Sequence, residues 1–225
     1  MLPLGEMARP PLSEAQEDYL KQLLLLEEAL GSPVSTQALA ERLGVKPPSV
    51  TGMLKKLSAL GLVAHAPYRG ARLTEAGRRV ALEVLRHHRL LETYLHQALG
   101  YGWEEVHQEA ERLEHVISED LEERIAEALG HPPFDPHGDP IPTRELALPQ
   151  GRGLPLAEAP LGGARVVRAL AQDRGTLNLL FRLGLVPGQA LEVLGREGGV
   201  RVRVGGEVYL LPQELALAVA VEPLG

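Results

Sequence analysis

The 225-residue sequence predicts a multidomain, mainly α protein that ends in a small all-β domain. Three observations carry that expectation. Apolar residues recur at helical spacing up to about residue 129, and GHPPFDPHGDPIP at 130–142 then concentrates five prolines and two glycines. After QGRGLP at 150–155, a flexible-linker composition, the chain turns to short apolar runs punctuated by glycine. These breaks divide it into a DNA-binding segment at 1–75, a helical domain at 76–142, a linker at 143–154 and a small barrel at 155–225.

Each element follows from local signals. Ser13, with Glu14 and Glu17 behind it and Tyr19, Leu20, Leu23, Leu24 and Leu26 further on, marks a helix that Gly31, Ser32 and Pro33 end. Ser35 or Thr36 then caps a short helix stopped at Gly44. Prolines open the next one, where a missing N–H costs nothing, and it runs through Val50, Met53, Leu54, Leu57 and Leu60 to Gly61. Helix, four-residue turn and helix make a helix-turn-helix. Short β-like runs on either side of Tyr68, Arg69 and Gly70 add a wing hairpin. A long amphipathic helix is expected over about 75–99, and a third long helix from about Trp103 to Leu129. Beyond the linker, LNLLFRLGL at 177–185 reads as a short helix. RVRV and EVYL alternate with period two across Gly205 and Gly206, a hairpin.

Composition narrows the function. No apolar run approaches the roughly 20 residues of a membrane span, and MLPLGEMARP lacks the basic start and apolar core of a signal peptide, so the cytoplasm is expected. With no cysteine, thiol catalysis and thiolate ligation are excluded, and any metal must be held by His, Asp, Glu, carbonyls or water. The net charge of -7 is unevenly spread: residues 42–80 hold eight bases against one acid, and residues 103–127 hold ten acids against two arginines. That pattern joins a polyanion-binding module to a cation-binding one.

Two constellations carry chemistry. In the first, the start of the second helix of the motif would enter a major groove with Ser49 and Thr51 near base edges and Pro48 on thymine methyls. Lys46, Lys55, Lys56 and Arg69 would meet phosphates, with Thr36 and Gln37 contributing from the preceding helix. In the second, VHQEAERLEHV at 106–116 puts His107, Glu111, Glu114 and His115 within about a 100° arc of a helix, beside the apolar stripe of Val106, Ala110, Leu113 and Ile117. Alone, the row reads equally as an ordinary polar edge. His88 and Glu92, one turn apart on the preceding helix, favour ligands, because facing helices bearing His and carboxylate pairs build metal sites in bundles. Six candidates exceed one ion's need, so two adjacent sites are expected. His87 and His96 read as surface or helix-face histidines, His131 and His137 as turn residues, and Trp103 as a core anchor.

The order winged helix, LRHHRLLETYL, VHQEAERLEHVISEDLEERI, PHGDPIP and a small barrel containing LGLVPG resembles the diphtheria toxin repressor family of iron- and manganese-dependent transcription regulators, from about Leu12 to Leu224. The resemblance implies a winged helix-turn-helix, a helical dimerisation and metal-binding domain and an SH3-like domain. It implies a primary site of Asp18, Glu111, Glu114 and His115 and a second of His88, Glu92 and His107, to which Asp173, near Thr176, is the nearest equivalent of a donor from the C-terminal domain. Iron members tend to carry Met and Cys where Asp18 and Glu111 stand, so the ligand set resembles the manganese branch. Carboxylates in place of sulfur favour a harder ion such as Mn²⁺, with Fe²⁺ the alternative. Lys21 departs from the acid that branch often carries one turn after the aspartate. The implied protein is a homodimeric repressor on a palindromic double-stranded operator, neither enzyme nor membrane protein. A metal-independent regulator sensing an organic ligand, or a metal-dependent hydrolase, are the rivals.

Overall fold

The computed structural model describes residues 12–66, 69–171 and 173–224. The first ten residues and the Tyr68 position of the wing turn lie outside these. The chain divides into two compact units, one extending to Leu85 and one starting at Arg86.

In the first unit, α1 (Glu14–Leu30) opens with a capping box in which Ser13 and Gln16 satisfy each other's backbone groups. Ser35, rather than Thr36, caps α2 (Thr36–Leu43), and Gly44 ends it in a left-handed conformation. Pro47 sits in the first turn of α3 (Pro47–Ala59). Strands β1 (Val63–Ala66) and β2 (Gly70–Leu73) pair antiparallel as the wing. Leu20, Leu23, Leu24, Leu39, Val50, Leu54 and Leu57 are buried at the spacings that define each helix's inner face. Helix α4 (Glu75–Leu99) begins in this unit and continues into the second.

The second unit holds the rest of α4, then α5 (Val106–Leu113) and α6 (Glu119–Ala128). The single helix expected over 103–129 is therefore interrupted. Ser118 accepts the Leu121 N–H and starts α6 afresh, a capping geometry that a continuous helix would forgo. Leu90, Leu91, Leu95, Val106, Ala110, Ile125 and Ala126 pack together across the three helices. Strands β3 (Leu154–Pro155), β4 (Gly162–Ala169), β5 (Ala190–Gly195), β6 (Val200–Val204), β7 (Glu207–Leu211) and β8 (Val219–Pro223) form an antiparallel sheet in the order β3-β8-β4-β5-β6-β7. Helix α7 (Arg174–Arg182) overlaps the stretch expected as helical at 177–185 but begins and ends three residues earlier. Gly205 and Gly206, both at positive φ, turn β6 into β7. A further short helix, α8 (Gln213–Leu217), precedes β8. Trp103 is buried among the side chains of the β domain rather than those of the helices.

Candidate metal centre and DNA-binding face

Helix α4 carries His88 and Glu92 one turn apart, and α5 carries His107 opposite them. Three atoms meet there: His88 Nε2, Glu92 Oε1 and His107 Nδ1 lie 3.0 Å from one another along all three edges. The donor set of two imidazoles and a carboxylate, with no sulfur, suits a first-row divalent ion.

The surrounding contacts orient these donors. His88 donates its Nδ1–H to Oε2 of Glu114, and its Nε2 faces Glu92 and His107. Glu114, at the C-terminal cap of α5, presents its other oxygen, Oε1, 3.4 Å from His115 Nε2. His107 Nε2 lies 3.6 Å from Glu111, the exposed member of the row. Glu92 is fully enclosed. Burial opposes its ionisation, but His88, His107 and His137 overrule that penalty and hold its carboxyl well below the usual range.

A further group shares Glu92 through its second oxygen. His137 donates Nε2–H to the Trp103 carbonyl at 2.8 Å and turns Nδ1 toward Glu92 Oε2, 3.7 Å away. Asp135 joins them, so Glu92, Asp135 and His137 form a second buried set of ligand type. Burial, then the charges of Glu92 and Asp139, push the Asp135 carboxyl well up. The loop is held from the β domain: Ala169 N–H donates to the His137 carbonyl at 2.8 Å, and the Arg168 guanidinium pairs with Asp139. Gly138 permits that approach, since at φ +85° a Cβ would stand 2.0 Å from the Val167 carbonyl oxygen.

The structure thus brings together His88, Glu92, His107 and Glu114, with His115 beside Glu114. Asp18 stands half-buried on α1 in the first unit. Asp173 is taken up as the N-cap of α7, accepting from Thr176 N at 2.9 Å, and among the described residues it joins no such group. Sequence reasoning gave His137 a turn role and did not single out Asp135, which the structure groups with Glu92. The alternation of Asp135, His137 and Asp139 through DPHGD was the available signal. His87 is not a surface residue: it is buried between the Glu114 carbonyl and the Glu122 carboxylate, 3.0 and 2.9 Å away.

In the first unit, Pro48, Ser49, Lys55 and Lys56 stand exposed along α3, as do Lys46 before it and Arg69 at the wing. Thr51 donates its hydroxyl to the Pro47 carbonyl at 3.1 Å, so only its oxygen lone pairs face outward. Gln37 is tied to Glu41 at 2.7 Å, and Thr36 is half-buried. Gly52 leaves open space where a longer reader would stand.

Comparison with known proteins decides what these features belong to. Residues 11–71 match the profile "Iron dependent repressor, N-terminal DNA binding domain", residues 74–143 match "Iron dependent repressor, metal binding and dimerisation domain", and residues 154–223 match "FeoA domain". The iron-dependent repressor IdeR of Mycobacterium tuberculosis is 39% identical, over 94% of this chain and 98% of that protein. The chain belongs to the iron-dependent repressor family. The diphtheria toxin repressor of Corynebacterium glutamicum is another similar protein, 33% identical over 94% of this chain and 97% of its own. Among solved structures, a manganese-dependent transcriptional repressor in complex with manganese is similar, with a TM-score of 0.85 and 38% identity, covering 93% of this chain and all of that one. As a member of the iron-dependent repressor family the chain is a metal-dependent, DNA-binding transcriptional repressor and not an enzyme. Its DNA-binding and dimerisation domains make it a homodimer that binds DNA. Among the described residues no helix is long and apolar enough to cross a membrane.

Proposed function

We propose that this repressor is activated by Mn²⁺, with Fe²⁺ as the alternative ion, and acts in the cytoplasm on palindromic operators of metal-uptake genes. The observation that carries the choice of ion is the convergence of His88, Glu92 and His107, nitrogen and carboxylate donors without sulfur that suit a hard divalent cation. The manganese complex among similar structures supports the same reading.

Two ligand sets follow. Glu111, Glu114 and His115 at the end of α5, joined by Asp18 as the family resemblance implies, form the primary one; His88, Glu92 and His107 form the second. Asp135 and His137 supply further donors around Glu92, and Asp173 is retained only as a donor that the resemblance implies. A bound divalent ion supplies the positive charge that this surplus of carboxylates lacks. The residues do the rest. Asp18 and Glu114 repel when uncompensated, and Glu114 is kept in place by His88. Compensation therefore favours the arrangement of the two reading heads in the dimer that reaches successive major grooves. There Ser49, Thr51 and Pro48 meet bases, while Lys46, Lys55, Lys56 and Arg69, with Thr36 and Gln37, hold the backbone.

The test is fluorescence anisotropy of labelled promoter duplex with Mn²⁺, without it, and after EDTA. Binding that appears with Mn²⁺ and is lost to EDTA is the expected result. Binding indifferent to metal would transfer the assignment to a regulator that senses an organic ligand.

A further inference from the structure

His87 is buried on α4 yet belongs to neither ligand set. Its Nδ1–H donates to the Glu114 carbonyl at 3.0 Å, a bond that fixes both the orientation of the ring and its tautomer. In the neutral ring Nε2 then carries the lone pair. That atom is buried and, among the described residues, makes no hydrogen bond. What faces it is carboxylate: Glu122 Oε2 stands 2.9 Å away and Glu119 Oε1 3.9 Å away.

An imidazole lone pair and a carboxylate oxygen at 2.9 Å repel unless positive charge lies beside them. A proton on Nε2 bonds well only along the N–H···O line, and Glu122 Oε2 stands off that line. A divalent ion has no such restriction, because it draws both lone pairs toward itself. The neighbours are set for one. Arg86 pairs with the other oxygen of Glu122, which keeps Oε2 turned to His87. Glu119 is exposed and gives a hydrated ion its way in. Glu83, one turn before His87 on α4, adds a carboxylate to the same helix face. Acids commonly occupy a helix's first turn, where they answer its N–H groups. That role does not require Glu122 to be buried against a ring on another helix, as it is here.

We propose that His87 Nε2, Glu122 Oε2 and Glu119 form a further divalent-cation site, distinct from both ligand sets, which ties the first turn of α6 to α4. One imidazole and two carboxylates without sulfur suit a first-row divalent ion. The site spans the break between α5 and α6. Because the same imidazole holds the Glu114 carbonyl, an ion there also steadies the backbone that carries Glu114 and His115. The inference goes beyond the proposed function and uses none of the ligands assigned there.

The experiment counts the Mn²⁺ bound by the full chain, read from the electron paramagnetic resonance of the free ion, in Glu119→Gln, His87→Gln and Asp120→Asn. Glu119 is a surface residue, so its variant keeps the fold. Asp120, exposed and paired with Arg124, controls for the loss of an acid from the same helical turn. Glu119→Gln and His87→Gln are each expected to bind one equivalent fewer than the unsubstituted chain, or to bind it at least roughly tenfold more weakly. Asp120→Asn should match the unsubstituted chain. The same loss should appear when Glu119→Gln is added to Glu92→Gln, since the two positions serve separate ions. An unchanged count in Glu119→Gln would overturn the proposal, as would an equal decline in Asp120→Asn. A protein whose operator binding ignored Mn²⁺, yet whose count fell with Glu119→Gln and not with Asp120→Asn, would sink metal activation and leave this site standing.

Discussion

His88 and Glu114 are joined by a buried hydrogen bond in which the imidazole Nδ1–H donates to Oε2, and the other ring nitrogen of His88 is thereby left 3.0 Å from Glu92 Oε1. One side chain thus joins the proposed second ligand set to Glu114 of the proposed first. Removing a donor from the second set tests the assignment. His107→Ala, a half-buried site on α5, and Glu92→Gln should each take away one equivalent of Mn²⁺ per chain, or weaken it at least roughly tenfold. Electron paramagnetic resonance of free Mn²⁺ during titration reads this directly. Full stoichiometry at wild-type affinity in both variants would remove His107 and Glu92 from the site.

In the proposed primary ligand set, Asp18 is the position that would set the choice of ion. The resemblance puts sulfur at this position in iron-responsive relatives, and a thioether is a softer donor than a carboxylate. Asp18→Met should therefore shift DNA binding from Mn²⁺ toward Fe²⁺ while leaving the thermal midpoint nearly unchanged, because Asp18 is only half-buried. Anisotropy titrations with each ion under anaerobic conditions provide the comparison. An unaltered ratio of responses would refute the role given to Asp18.

The His137 and Glu92 pair sets a pH dependence of the chelated protein. Burial works against protonation of His137, but contact with Glu92 and the charge of Asp135 raise its pKa from 6.5 to about 9. Because the folded value exceeds the unfolded one, the pair's contribution is complete below about 6.5 and is lost as pH climbs through about 9. In EDTA the melting temperature should fall between pH 6.5 and pH 9.5, and His137→Gln should flatten that decline. A wild-type curve already flat across this window would contradict the ionised pair.

Gly138 supports the loop that presents Asp135 and His137. At φ +85° with a carbonyl oxygen 2.0 Å from any added Cβ, Gly138→Ala must displace either the loop or β4. Strain of this kind costs about 2 kcal/mol or more, which lowers the melting temperature by roughly 5 °C in a domain of this size. Calorimetry measures it, and a neutral substitution would mean that the loop is not held in this form.

Much of this architecture was legible in the chain because it is locally encoded. Ser13, Ser35, Gly44 and the prolines before Val50 place the helices of the DNA-binding unit, and paired glycines place the β6–β7 turn. His88, Glu92 and His107 were visible because helical spacing and one close turn suffice to oppose them. The rest depends on distance along the chain. His137 lies 45 positions beyond Glu92 and reaches it only through a proline-rich loop braced by β4, contacts that no periodicity announces. The interruption between α5 and α6 escaped for another reason. Helix-forming glutamates continue through it, and only the competing cap at Ser118 ends the regular winding.

Trp103 gives these sites a built-in reporter. It is the single tryptophan of the chain; its indole N–H donates to the Pro136 carbonyl at 2.8 Å, and its ring lies 4.7 Å from that of His137. Any event that reorients or discharges that imidazole changes the fluorophore's immediate surroundings. Emission spectra of the unlabelled protein can therefore follow what happens around Glu92 in real time, separately from the arrival of DNA at the other unit.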